Sequence, residues 1–393
     1  MTKTNSRLGR CALMVAHCAG MVDLIALPIW VGTLIGKYGL DPQQAGGLAT
    51  MFLFGAVISS VFFSARFDRM SGRLSATLGF AVSAGAFLLL SQTSSYPAML
   101  GLHAIGGMAA GCGLSFTHGT IGRSGAAHRL FAIVGLALGV FAILFMGAVP
   151  KIVEATGGPS FFLVLAGVMA FAAVVCAFAF PKAAVEVLAV RIGAAASGPL
   201  SPAVWFGIAG VSLMAVNQAM TFSFVERMGI DRGFGHEAVT AVLVGMGIVN
   251  LVPAILAALL ERRLPAETVV RIGPFVQAGL AVLLTWTTSF APYALAAGVI
   301  VGVMIFTHTF AFGLLAKLDP SGRAVAATPA MLMIGSGLGP ILGGTLVKFY
   351  GYPAIGAVAI LVAVLSVLCF SQTRRTDPAA EHLPFASETP SKS

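Results

Sequence analysis

Charge is what this sequence lacks most. Only 9% of its 393 residues are charged, against roughly 25% in soluble globular proteins, and that deficit excludes a soluble fold. Cysteine is sparse too. The five present (Cys11, Cys18, Cys112, Cys176 and Cys369) lie in or at the start of apolar runs, so they read as small packing residues rather than a disulfide framework. Short strands of alternating apolar and polar residues are missing, which excludes a membrane barrel. No G-x-x-x-x-G-K-[ST] stretch occurs, so nothing points to a nucleotide-driven pump. No Lys or Arg stands in the middle of an apolar run, so a small anion would meet no fixed cation inside the membrane.

What is present is apolar and small. Hydrophobic residues make up 58% of the chain and Gly accounts for 47 positions, as in helical membrane bundles. Charges and turn residues divide the chain into twelve spans, at about 11–36, 44–65, 74–94, 97–121, 130–150, 160–180, 202–225, 237–260, 272–289, 291–316, 330–349 and 353–372. Most approach the roughly 20 residues a membrane helix needs. The connections at 95–96 and 290 are tight, and a ten-span reading would fuse helices there. The basic start followed by an apolar run imitates a signal peptide, but the run is too long, and it is read as an uncleaved first helix.

Twelve spans put both termini on one side. That side carries Lys3, Arg7, Arg10, Arg66, Arg69, Arg73, Arg123, Arg129, Lys182, Arg191, Arg262, Arg263, Arg271, Lys317, Arg323, Arg374, Arg375 and Lys392, against Lys37, Lys151, Arg227, Arg232 and Lys348 on the other. The division, 18 to 5, accounts for all 23 Lys plus Arg, and by the positive-inside rule both termini are cytoplasmic. A bacterial inner membrane is the expected location. The net charge of +9 is spread over many short loops. It is therefore topological rather than a nucleic-acid signal.

The expected organisation is all-α and polytopic. A six-helix bundle over 1–180 is followed by a cytoplasmic linker at 181–201, a second bundle over 202–373 and a disordered tail at 374–393. At most, Lys182 to Ile192 forms an interfacial helix. The two bundles echo each other. SFTHGT around His118 returns as IFTHTF around His308, an offset of 190 residues. KYGLD (Lys37 to Asp41) returns as RMGID (Arg227 to Asp231) at the same offset. Asp68-Arg69 returns as Glu261-Arg262 at an offset of 193. Three echoes in one order suggest two parallel repeats, the organisation of secondary transporters that rock around a central site.

The stretch ARFDRMSGRL between spans 2 and 3 resembles the signature loop of the major facilitator superfamily, roughly G-x-x-x-D-R-x-G-R-R. Asp68, Arg69, Gly72 and Arg73 match, Ser64 stands at the first glycine, and one extra residue precedes Gly72. The resemblance implies twelve helices in two bundles and alternating access. It also implies that Asp68, Arg69 and Arg73, echoed by Glu261 and Arg262, hold the cytoplasmic gate shut in the outward-facing state. Span 11 carries Gly335-x-x-x-Gly339-Pro340-x-x-Gly343-Gly344, a pattern of small residues suited to close helix packing. Drug/proton antiporters of the family carry a similar motif in helix 5, where this chain has only Gly135, Gly139, Gly147 and Pro150.

Ionisable groups within a membrane are functional candidates. Asp23, in MVDLIALPIW, is the one acid the spans place well inside the membrane. It is the first candidate for proton coupling or for holding a cation. His103 stands where many proton-coupled members of the family have the arginine of R-x-x-x-G-x-G, and could share a proton with Asp23. His17, His118 and His308 lie toward the cytoplasmic side. They can form a proton path, a metal site or inter-helix hydrogen bonds duplicated with the repeat. Asn217, Gln218, Asn250 and Gln277 add neutral polarity. Phe116, Phe222, Phe224, Phe306 and Phe310 can wall an apolar cavity. Ser115 precedes His118 by three residues, but a hydrolase would need a third group.

The function expected is secondary active transport, not enzyme catalysis. The carrier would be proton-coupled and monomeric. It would move a small neutral, cationic or amphipathic organic molecule and use no cofactor. Two alternatives remain at this stage: an uptake symporter for an organic acid that uses protonated histidines, and a metal or metal-chelate carrier.

Overall fold

The computed structural model describes residues 4, 6–64, 66–124, 127–181, 199–319, 324 and 328–373. Among them are twelve helical spans long and apolar enough to cross a membrane: Arg7–Tyr38, Pro42–Phe63, Gly72–Leu90, Tyr96–Gly122, Arg129–Thr156, Pro159–Ala179, Pro202–Asp231, His236–Leu260, Ala266–Trp286, Phe290–Leu318, Met331–Tyr350 and Pro353–Gln372. They are numbered 1 to 12 below. The two tight connections are true turns, between Leu90 and Tyr96 and between Trp286 and Phe290, so the twelve-span reading stands over the ten-span one. Most of the expected linker, at 182–198, and the tail from 374 lie outside the described residues.

Three spans are interrupted. Span 1 breaks at Met21 (φ −110°, ψ 9°), between Arg7–Gly20 and Val22–Tyr38. Span 7 breaks at Ser223 and Phe224, where the Ser223 hydroxyl donates back to the Ala219 carbonyl at 2.6 Å. Such a bond competes with the helical ladder. Span 8 breaks at 250–252 ahead of Pro253, which has no N–H to offer and starts the next helix at its first turn.

Spans 1–6 pack mainly among themselves, as do spans 7–12. The two groups meet where span 2 packs on span 11, span 5 on span 8, and span 1 on the last turns of span 7. We call the side where span 1 begins and span 12 ends the terminal side, and the opposite one the distal side. Span 11 is wedged between the groups. A Cβ at Gly339 would lie 2.5 Å from Ala219 Cβ, and one at Gly343 would lie 2.8 Å from the Met220 carbonyl, both on span 7. Gly344 instead meets the backbone of Pro42 and Gln43, and Gly46 on span 2 meets the Pro340 carbonyl. The glycine motif of span 11 thus serves close packing on two faces.

The distal start of span 2 is fixed by a capping box. The Gln44 N–H donates to Asp41 Oδ1 at 2.9 Å, and the Asp41 N–H donates to Gln44 Oε1 at 3.2 Å. The other carboxylate oxygen of Asp41 lies 3.0 Å from Lys348 Nζ on span 11. Lys348 also reaches Gln43 Oε1 at 3.2 Å, and Gln43 Nε2 donates to Thr345 Oγ1 at 3.2 Å. Nearer the middle, the Ile341 N–H donates to Thr50 Oγ1 at 3.1 Å. The two groups are therefore latched together from mid-span to the distal side.

Candidate functional site

Asp23 is 4% exposed and sits in the first turn of the half-helix Val22–Tyr38, immediately after the break at Met21. The break frees the N–H groups at that helix start. The carboxyl lies against the N–H groups of Asp23 itself and Leu24, the positive end of the helix dipole. One turn and a half before it, His17 Nδ1 lies 3.0 Å from His118 Nε2 on span 4, with both rings largely buried. One facing nitrogen must donate and the other accept. The pair can therefore hold one added proton without opposing two N–H groups.

His103 is placed differently. It is fully buried, accepts from Trp30 Nε1 at 3.1 Å through Nε2, and donates from Nδ1 to the Met99 carbonyl at 2.7 Å. Phe162 meets the ring edge-on, and Phe52, Phe87 and Phe161 surround Trp30. Both ring nitrogens are thus satisfied, by Trp30 and Met99 rather than by Asp23. His308 packs its ring on Phe312 at 4.9 Å, and its Nδ1 is buried without a hydrogen-bond partner. The histidines that share a motif across the repeat therefore have different surroundings.

Asn217 is 1% exposed, and neither polar atom of its amide has a partner. Gln218 Oε1, one residue on, accepts from Gln277 Nε2 of span 9 at 3.0 Å, while Gln218 Nε2 and Gln277 Oε1 stay unpaired. Buried amide groups are nearly always hydrogen-bonded, so this cluster in spans 7 and 9 is suited to a water or a polar ligand group. Phe116, Phe222, Phe224 and Phe310 are buried, with Phe116 stacked on Phe67 at 5.2 Å. Phe306 lines an apolar groove between spans 8, 9 and 10.

Of the signature-loop residues, the Asp68 side chain lies outside the described set. Arg69 is exposed. Arg73 donates from Nε to the Ala177 carbonyl at the end of span 6, at 2.6 Å, and so caps a helix C-terminus. Glu261 and Arg262 are exposed in the turn after span 8. Among the described residues, no group of three or more His, Cys, Asp and Glu side chains gathers as a metal site would need.

One reading needs correction. Asp23 is not the only acid within a span, because span 7 continues past residue 225 through the helix Val225–Asp231 and carries Glu226 in its distal part. The charged pattern E-R-x-x-x-D ended the apolar run early. The signal that could have exposed Glu226 is Gly32-x-x-x-Gly36 in span 1, whose missing side chains make room for Glu226 and Arg227.

Comparison with known proteins agrees with this architecture. One curated relative, the 4-hydroxybenzoate transporter PcaK of Acinetobacter baylyi, is 33% identical over 96 residues, which is 24% of this chain and 21% of that protein. The match thus spans about a fifth of that relative. The fold resembles the nucleoside transporter NupG (TM-score 0.71, 16% identity, 94% of this chain and 99% of that one). It also resembles a D-xylose–proton symporter (TM-score 0.69, 16% identity, 95% and 98%). A bacterial homologue of the human lysosomal transporter Spinster, in an inward-facing and occupied conformation, is similar as well (TM-score 0.68, 15% identity, 95% and 94%). The family profile of the Major Facilitator Superfamily matches residues 12–320. The chain belongs to the Major Facilitator Superfamily, and it is a membrane transporter rather than an enzyme.

Proposed function

We propose that this chain is a proton-coupled secondary transporter of a small neutral, cationic or amphipathic organic molecule, with Asp23 as the coupling acid. The observation that carries the reading is an aspartate, 4% exposed, at the first turn of the half-helix that opens where span 1 breaks. A buried carboxylate must be neutralised or matched by positive charge. At Asp23 the available positive potential is a helix end, so a proton or a cationic substrate completes the site. The His17–His118 pair, about 9 Å nearer the terminal side along the helix axis, forms the proton path, with His308 on the opposite group. Asn217 and Gln218 supply hydrogen bonds to a polar substrate group. Asp68, Arg69 and Arg73, with Glu261 and Arg262, gate the terminal side.

The Lys and Arg bias, 18 against 5, supports a cytoplasmic terminal side in a bacterial inner membrane. With the distal side latched, the conformation described is then closed toward the outside. One chain contains both groups, and we read it as acting alone. A second reading, uptake of an organic acid, is favoured by the His17–His118 pair, which gains a positive charge when protonated, and by 4-hydroxybenzoate, the molecule the PcaK relative is named for.

The test is proton release from purified protein in detergent during addition of a chemically diverse compound panel. The expected result is a compound that displaces protons from the parent and none from Asp23→Asn. Equal release from both proteins removes Asp23 from the mechanism.

A further inference from the structure

The last helix of span 7, Val225–Asp231, lies on the distal part of span 1. Span 1 presents Gly32 and Gly36 to it, one turn apart. The Glu226 carboxylate fills the space a Cβ at residue 32 would take, and Arg227 Nη1 lies 2.9 Å from where a Cβ at residue 36 would be. The seam between the two groups is thus formed here by an acid and a base set into two notches. A cavity of about 120 Å³ adjoins them, lined by Ile29, Gly32, Thr33, Pro150, Val153 and Glu226 among others.

The charges around Glu226 are mostly committed elsewhere. Arg227 Nη2 lies 2.6 Å from Asp231, and Asp231 also accepts from the Tyr352 hydroxyl at 2.6 Å. Lys37 of span 1, Glu154 of span 5 and His236 of span 8 are exposed at the cavity rim. Tyr293 of span 10 faces the same region, and its hydroxyl donates to the Val225 carbonyl at 2.8 Å. Glu226 Oε2 itself is buried with no hydrogen-bond partner. An ionised oxygen in that position would lose its hydration without replacement, whereas a neutral carboxylic acid tolerates it.

We infer that Glu226 is a proton-binding site of the distal seam: it keeps its proton while span 7 is docked on Gly32 and Gly36, and releases it to the distal side when the seam opens. On opening, the carboxyl O–H bond breaks, the proton passes to water entering from the distal side, and the carboxylate is left hydrated and facing Lys37. The inference rests on the alternating access of the family and not on Asp23.

The test places a cysteine at Thr33, which lines the cavity, in a background with the five native cysteines replaced. Cells are treated with a membrane-impermeant maleimide at a series of external pH values. Rates are normalised to the same cysteine in denatured protein. Labelling of the parent is expected to rise severalfold from acidic to neutral pH. Glu226→Gln, which mimics the neutral acid, is expected to stay slow and pH-independent, Glu226→Asp to keep the pH response, and Gly32→Ala to label fast at every pH. Asp23→Asn can move the baseline rate but should keep a rise with pH that Glu226→Gln lacks, so failure here is separate from failure of the coupling reading. A parental pH profile in Glu226→Gln overturns the inference. Infrared difference spectra give a second readout. Raising the pH should remove a protonated-carboxyl band that is absent from Glu226→Gln, and an identical band in both proteins also overturns it.

Discussion

The Lys348 ammonium and the Asp41 carboxylate meet at 3.0 Å across the two halves of the molecule, with 34% and 33% of their side chains exposed. An ion pair this open to solvent contributes roughly 0.2–1 kcal/mol. Lys348→Ala or Asp41→Asn should therefore raise distal opening about 1.5- to 5-fold and leave the fold intact. Distance distributions between spin labels on the distal ends of spans 2 and 11 check this. An unchanged distribution in both variants would show that the pair adds nothing to closure.

The same pair makes a pH prediction. Partial burial pushes the Asp41 carboxyl up, but the Gln44 N–H, the Lys348 ammonium and the Gln43 N–H outweigh it and hold the group below the usual aspartate range. A carboxyl depressed in the docked state favours docking above its free pKa and loses that contribution as pH falls through the depressed value. Asp41 should thus be silent from neutral to mildly acidic pH and loosen the latch only in strong acid. If Asp41→Asn abolished a distance change near neutrality, this assignment would fail.

The His17–His118 contact predicts non-additive stability. Each histidine truncated to alanine removes the same 3.0 Å hydrogen bond, so the double variant should lose less than the sum of the singles. The coupling expected is about 0.5–1.5 kcal/mol, read from denaturant or thermal unfolding in detergent. Strict additivity would show the two rings to be independent.

Gly107→Ala tests the crossing of spans 2 and 4. A Cβ there would lie 2.7 Å from the Phe52 carbonyl carbon and 2.8 Å from its Cα, and backbone cannot swing aside as a side chain can. The substitution should cost about 1–3 kcal/mol by overpacking, seen as a lower unfolding midpoint. Gly101→Ala, with open space at its Cβ position, is the control, and equal midpoints for the two variants would refute the crowding argument.

The spans were legible because a run of apolar residues is a local property. Residues near His103 in sequence carry no trace of Trp30, its partner 73 positions away, and so His103 looked like a companion for Asp23. Glu226 was hidden for a different reason. Hydropathy ends a span at its first charges, yet Val225–Asp231 stays helical and lies against span 1, because Gly32 and Gly36 leave room for long side chains. Asp23 was recognisable as a candidate from burial arithmetic alone. The break at Met21 that puts a helix start beside it was not, since no proline marks it.

Span 11 faces span 2 with backbone against backbone, Gly46 on the Pro340 carbonyl and Gly344 on Pro42. Such a contact is smooth. At these two crossings no side chain has to leave a hole when the surfaces separate, while Ile341 packs toward Gly47 and Phe54 toward Gly337 beside them. Cohesion across this plane then comes from a few polar contacts that water can replace one at a time. At these two crossings the halves can part as two polished faces do, so the steric steps of reorientation fall instead where side chains are seated in notches, as Glu226 and Arg227 are at Gly32 and Gly36.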